Sequence, residues 1–451
     1  MLDERMKIKS LFSAESALVA GFFLVVWLSK YHLVANFGNM TPFWDQWDAE
    51  AAGLYRPWVE GSLRWTDLLA AHNEHRILTT RIIALSLFLL NGGIWNTFLL
   101  MQVNAVVYAA AVSFLICHLS RLLAGWRRVL LFPIAAGVFI LPYAWENTLM
   151  GVGGTQFYTY LLLNSVFFWV MASRPSYTLQ WWFGFTIGAL TILTMASGAV
   201  TLAAGALLLG IRRFLLRDAQ IRPSSVVLLA VMAAIAVATT PTIPSGSVLR
   251  AHSLEQFIGV LLLGASWPFP PSVVAAVLVH APLVLFTALV LLRRIPATPT
   301  VLYVFALAAW LYAQLLLISY GRAAAADASR YLDFHAVTVA LSAAALLYLA
   351  SKIQRKWEAV PLLILWLASM ACGFFLACDK WNHDVLIKCA QSREQEKNVR
   401  EYLLTKNPAS LLNKRYMEIP YPKAERLKAL LDSPTIQALL PPELSHDNKV
   451  R

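Results

Sequence analysis

Residues 17–28 read ALVAGFFLVVWL, an unbroken apolar run preceded by Arg5, Lys7 and Lys9 and followed by Lys30, Tyr31 and His32. A cleavable secretory leader would end in a small-x-small site, and no such site follows here. The stretch 17–36 is therefore expected to be a retained first membrane span, with Lys30 and His32 snorkelling at its outer edge. Comparable runs recur at 95–119, 129–145, 157–173, 181–197, 199–211, 224–240, 272–292, 300–319, 334–351 and 359–377. At about 20 residues each, eleven spans take up close to half of the 451 residues. Composition agrees, with 59% hydrophobic and 14% charged residues where soluble domains have about 45–50% and about 25%. The fold class expected is all-α: a polytopic helical membrane protein of about 11 transmembrane helices, within a range of about 10–13. Four cysteines without CxxC or Cys/His spacing give no zinc site.

Two shorter apolar stretches, 77–90 and 257–266, end at Asn91-Gly92-Gly93 and at Trp267-Pro268. Basic residues crowd the cytoplasmic loops of membrane proteins, and this rule decides both. If 77–90 and 257–266 are re-entrant or interfacial, Arg5, Lys7, Lys9, Arg121, Arg127, Arg128, Arg174, Arg212, Arg213, Arg217, Arg222, Arg293, Arg294, Lys352, Arg355 and Lys356 all fall on one side. The same rule makes 181–211 a hairpin turning at Ser197-Gly198. The net charge of +12 then reads as an orientation signal, and a nucleic-acid partner is excluded. The amino terminus is expected to be cytoplasmic and the polar, partly helical tail 378–451 periplasmic, with amphipathic patches at 392–404 and 423–439. There Cys378 and Cys389 would either form a disulfide or remain two free thiols.

Opposite the basic loops, acids outnumber bases, so this face is where chemistry is expected. The first outer loop, 37–76, carries Asp45 and Asp48 three residues apart among Phe43, Trp44 and Trp47. On an α-helix the two carboxylates would share a face at the membrane interface, where one can take a proton from an attacking hydroxyl; the alternative is a helix cap. His72, Glu74, His75 and Arg76 follow. Two histidines at i, i+3 suit a divalent cation without fixing one, and cations opening the 77–90 helix suit a phosphate. Arg322, Arg330 and Tyr331 form a second cluster on this face, where topology does not call for arginine; arginine grips phosphate bidentately, and pairing with Asp327 or Asp333 is the structural alternative. The Gly-rich connection 145–156 is expected to be a flexible turn offering Glu146, Asn147 and Gln156 to a polyol. Asn104, Asn164, Gln314 and His280 are expected to be interhelical hydrogen-bonding groups.

A first span followed at once by an acidic motif, a long first outer loop and arginine-bearing outer loops resembles the GT-C superfamily of integral-membrane glycosyltransferases. The likeness is to bacterial inner-membrane aminoarabinose-transferase, protein mannosyltransferase and O-antigen glucosyltransferase types, and Trp44 to Asp48, His72 to Arg76 and Ser329 to Tyr331 look like stretches of Gtr-like membrane proteins. The resemblance implies a sugar passing from a polyprenyl-phosphate donor to a glycan or lipid acceptor of the cell envelope, such as O-antigen or lipopolysaccharide. It places the general base on Asp45 or Asp48, with Arg76, Arg322 and Arg330 at the phosphate. Asp45-Gln-Trp-Asp48 departs from the tighter acidic pairs of the superfamily. It covers 1–377; the tail has no counterpart. A transporter or flippase for lipid-linked saccharide is the alternative from another class, and would place charged residues near mid-span.

Overall fold

The computed structural model describes residues 2–241, 246–353 and 356–445. The side chains of Arg5, Lys7, Lys9 and Lys356, and all of Arg355, lie outside what is described, as do tail residues 446–451. Among the described residues the regular structure is helical apart from one two-stranded hairpin. Its main helices are α1 (Leu2–Phe37), α2 (Leu78–Leu90), α3 (Thr97–Ser120), α4 (Trp126–Phe139), α5 (Trp145–Leu149), α6 (Gly151–Ser173), α7 (Leu179–Ile192), α8 (Gly198–Gly210), α9 (Pro223–Ala238), α10 (Leu254–Ser266), α11 (Val273–Leu291), α12 (Pro299–Gly321), α13 (Leu332–Lys352), α14 (Lys356–Thr405), α15 (Ala424–Leu431) and α16 (Pro434–Leu439).

Every stretch expected to be a span contains a helix, though those at 129–145 and 181–197 end short of their expected bounds. Seven helices among the described residues are long and apolar enough to cross a membrane, and their exposed side chains are apolar: Leu24, Val25 and Leu28 on α1, Val274 and Val277 on α11, Ile364, Leu365 and Phe375 on α14. A soluble protein would not leave such a belt bare. The protein is a helical, multi-pass membrane protein. Helix starts are written into the sequence as side-chain caps, with Asn96, Thr178, Ser253, Ser272 and Thr298 each accepting from a first-turn N–H. The α2 helix has 13 residues, about 20 Å at 1.5 Å per residue, too short for a core of about 30 Å.

The two ends of the bundle differ. At one, Arg121 and Arg128 lie 3.4 and 3.6 Å from Glu15, and Arg212 binds Asp218 and the carbonyls of Met171 and Arg174. The other end gathers the carboxyl end of α1, the amino ends of α3, α6 and α13, and the α7–α8 turn. That turn falls at 193–197, as the hairpin reading expects. Asn104 donates to Gly151 O, Gln314 to Tyr160 Oη, and His280 meets Ala265 O, so these polar groups do bind between helices.

Three expectations change. The 145–156 connection is no flexible turn: Gly151 and Gly154 begin α6, and a Cβ on Gly154 would stand 2.1 Å from Asn147 O. Lys30 does not snorkel; it is 1% exposed. The tail is not a separate appendage after 377, because α14 runs unbroken through that boundary for 50 residues. Beyond α14 the tail buries Leu427, Leu430, Ile436 and Leu439 against Trp47, Leu54, Tyr55 and Trp95, so tail and first loop pack as one unit. Continuity of α14 also rules out the disulfide: eleven residues of rise put Cys378 and Cys389 about 16 Å apart, far beyond bridging distance, and both thiols are free.

Candidate functional site

The first loop turns back at Trp44, which has φ +50, a left-handed conformation that a bulky residue adopts only when its surroundings impose it. Here the tail does so. Trp44 N–H donates to Pro420 O at 2.7 Å, and Tyr416 packs edge-on against the indole with ring centroids 6.1 Å apart. The chain then enters a helix that is wound as a π-helix over Trp47–Tyr55, its close marked by Arg56 N–H bonding to Ala51 O.

Asp45 lies before this winding and Asp48 within it, and the two side chains part. Asp48 turns to the tail, accepting from Tyr421 Oη at 2.5 Å and from Arg426 Nε and Nη2 at 3.2 and 3.0 Å. Asp45 turns to the bundle, with His72 Nε2 at 3.6 Å, and its own side chain is 56% exposed. Partial burial works to raise the Asp45 carboxyl, but the adjacent His72 and the charge of Arg330 outweigh it and hold the group below the usual carboxylate range. Asp45 is thus an ionised acid with an open side.

His72 and His75 do not open a helix. They face each other across the hairpin Ala71–His72/His75–Arg76, closed by Asn73 at φ +52, which a short polar residue tolerates. His75 Nδ1 accepts from Ala196 N–H at 3.1 Å, which leaves its proton on Nε2, 3.3 Å from Glu74 Oε1. Burial, aided by His72, pushes His75 down to about 4, so it is neutral at pH 7. Glu74 also pairs with Arg322. The phosphate site expected at the start of α2 is not built: Arg76 donates to the carbonyls of Leu69 and Thr239. Among the described residues no group of three or more His, Cys, Asp or Glu is placed to hold a metal.

From the bundle side, Glu146 Oε2 accepts from Ser329 Oγ at 3.2 Å and from Arg330 N–H at 3.0 Å, and Asn147 donates to Arg330 O and Asp333 Oδ2. These bonds hold the Ser329–Tyr331 turn while the Arg330 guanidinium lies over its neighbour Tyr331, 5.4 Å from the ring centroid. Gln156 is buried and donates to Thr194 O, tying α6 to the α7–α8 turn. Asp45, His72, Glu74, His75, Glu146, Asn147, Arg322, Arg330 and Tyr331 are therefore brought to one end of the bundle, whereas Asp48, Arg76 and Gln156 serve the scaffold.

Sequence reasoning missed three contributors. Lys30 donates to Leu141 O at 2.8 Å and sits 5.1 and 5.4 Å from the ring centroids of Tyr108 and Tyr143; a lysine in an apolar span was the available signal. Arg426 and Lys388 come from the tail, where no local pattern announces them. The chain matches no family model, no curated protein and no solved structure.

Proposed function

We propose that the protein is a GT-C type membrane glycosyltransferase, a hexosyl- or pentosyltransferase that moves a sugar from a polyprenyl-phosphate donor to a cell-envelope glycan or lipid. The reading places about eleven spans in the bacterial inner membrane, the amino terminus in the cytoplasm, and the Asp45 end, with the tail, on the outer face. The observation that carries it is the open Asp45 carboxylate beside His72, in an end of the bundle to which the Ser329–Tyr331 turn brings Arg330. Asp45 takes the proton of the acceptor hydroxyl as that oxygen attacks the anomeric carbon. The bond to the donor phosphate breaks, and Arg330 stabilises the charge collecting on the departing phosphate. Asp48 does not fill this role, since Tyr421 and Arg426 occupy both its oxygens.

Transfer from a polyprenyl-phosphate sugar by the purified chain tests the reading. Asp45→Asn is expected to abolish it while lipid phosphate still binds; full activity in Asp45→Asn removes Asp45 as base. A second reading, a transporter or flippase for lipid-linked saccharide, is favoured by one feature: Lys30 and Asp333 are both buried within the bundle. It predicts translocation without transfer in sealed vesicles, lost in Lys30→Met.

A further inference from the structure

Lys388 lies on α14, in the segment that leaves the bundle to become the tail. It is 3% exposed, and its ammonium rests on the face of Phe43, 3.3 Å from the ring centroid. Phe43 is two residues before Asp45. The helix packs against α5; burial pushes the Lys388 ammonium down to about 7, and the charge of Glu146 on α5 works against that. Yet no carboxylate stands within ion-pair distance of Lys388 among the described residues, and Glu146 is already engaged by Ser329 Oγ and Arg330 N–H. A ring face attracts a cation, but it neither accepts the ammonium's three hydrogen bonds nor neutralises its charge.

A second unsatisfied donor sits on α5, which packs against α14. The Nε1–H of Trp145 is buried with no acceptor among the described residues, and Trp145 packs on the cluster containing Val385, one helical turn from Lys388. The Arg330 guanidinium likewise has no carboxylate in ion-pair distance among the described residues. The charge of Glu146 thus reaches both Lys388 and Arg330, and that of Asp45 also reaches Arg330, yet neither cation has a carboxylate in ion-pair distance among the described residues. Buried cations are retained when something pairs with them, and what pairs with this set is an anion rich in acceptor oxygens.

We infer that Lys388, with Arg330 and Trp145, forms a phosphate- or diphosphate-binding subsite, so that the carboxy-terminal segment contributes a ligand-contacting residue to the site. The inference rests on this end of the bundle being a substrate site, but not on Asp45 being a base. The shared chemistry is a phosphoryl dianion, whether free or at the head of a lipid.

Thermal unfolding of the full chain in detergent, titrated with inorganic pyrophosphate and separately with a long-chain isoprenyl phosphate, against sulfate at equal ionic strength, tests it. The wild type is expected to be stabilised by at least one phosphoryl ligand and not by sulfate. Lys388→Met should weaken that binding about tenfold or more, Lys388→Arg should keep it within about threefold, and Asp45→Asn should leave it intact. Stronger stabilisation by the lipid than by pyrophosphate identifies a headgroup site, and the reverse identifies a free anion; both support the subsite. If neither ligand stabilises the wild type, or if Lys388→Met binds as the wild type does, the proposal is overturned. Retained binding in an inactive Asp45→Asn separates this outcome from any failure of the transferase reading.

Discussion

At position 50 a carboxyl is 2% exposed within the first loop. Its Oε2 accepts from Gln46 Nε2 at 3.0 Å and Trp95 Nε1 at 2.8 Å, while Oε1 is left without a partner. Burial outweighs these two bonds and pushes the group up to about 7, from 4.5 for a free side chain. Between those values the folded chain holds a proton that the unfolded chain has released, so stability falls as pH rises through this window. Glu50→Gln keeps both donors satisfied and removes the titration. It is expected to flatten the pH dependence between about 4.5 and 7 and to add at most ~3 kcal/mol above it. Unfolding midpoints at pH 5 and pH 8 check this; an unchanged slope would show that Glu50 is not the group responsible. His75 works in the opposite sense: its native pKa lies below the free value, so its contribution is complete above pH 6.5 and fades as pH falls towards about 4.

Among the elements, the tail's grip on the first loop decides where Asp45 sits. Four contacts grip the loop around it: Asn39 to Glu396 at 2.8 Å, Phe43 to Lys388, Trp44 to Pro420, and Asp48 to Tyr421 and Arg426. The Arg426–Asp48 pair is partly exposed, with side chains 47% and 35% accessible, so its removal should cost only about 0.5–1 kcal/mol of stability. Local order should suffer more than stability. Arg426→Ala combined with Tyr421→Phe is expected to speed hydrogen exchange at 41–48 while α3 stays protected; uniform exchange across the chain would mean that the tail supports the fold without positioning the loop. On the bundle side the close approach of Gly154 to Asn147 has a similar role. Gly154→Ala must displace the Asn147 carbonyl, at a cost of roughly 1–3 kcal/mol. The melting midpoint should drop by several degrees, and an unchanged midpoint would show that α5 yields freely.

For the molecule as a whole, the apolar runs were legible because period and length are local properties, and the helices α1, α3, α11, α12 and α13 follow them closely. The convergence of Asp45, His72 and Glu74 with Glu146, Arg322 and Arg330 was legible as sidedness, since basic loops mark the opposite end. Their partners were not. Arg322 pairs with Glu74 rather than Asp327, and Asp333 meets Asn147 rather than Arg330, because long-range packing sets which side chains meet. The π-helix winding that takes in Asp48 but not Asp45 leaves no trace in composition, and the tail's docking depends on apolar residues such as Leu427 and Ile436 that read as an ordinary amphipathic helix until their partner surface is known.

The most direct measurement is the turnover of Asp45→Asn and Asp48→Asn side by side, with transfer from a polyprenyl-phosphate sugar and the melting midpoint recorded on the same preparations. Asp45→Asn is expected to lose about 10²-fold or more in kcat at an unchanged midpoint. Asp48→Asn should remain catalytically competent but lose part of the tail's docking. A fully active Asp45→Asn, or an Asp48→Asn that folds normally and is inactive, would contradict the assignment of Asp45 as the base.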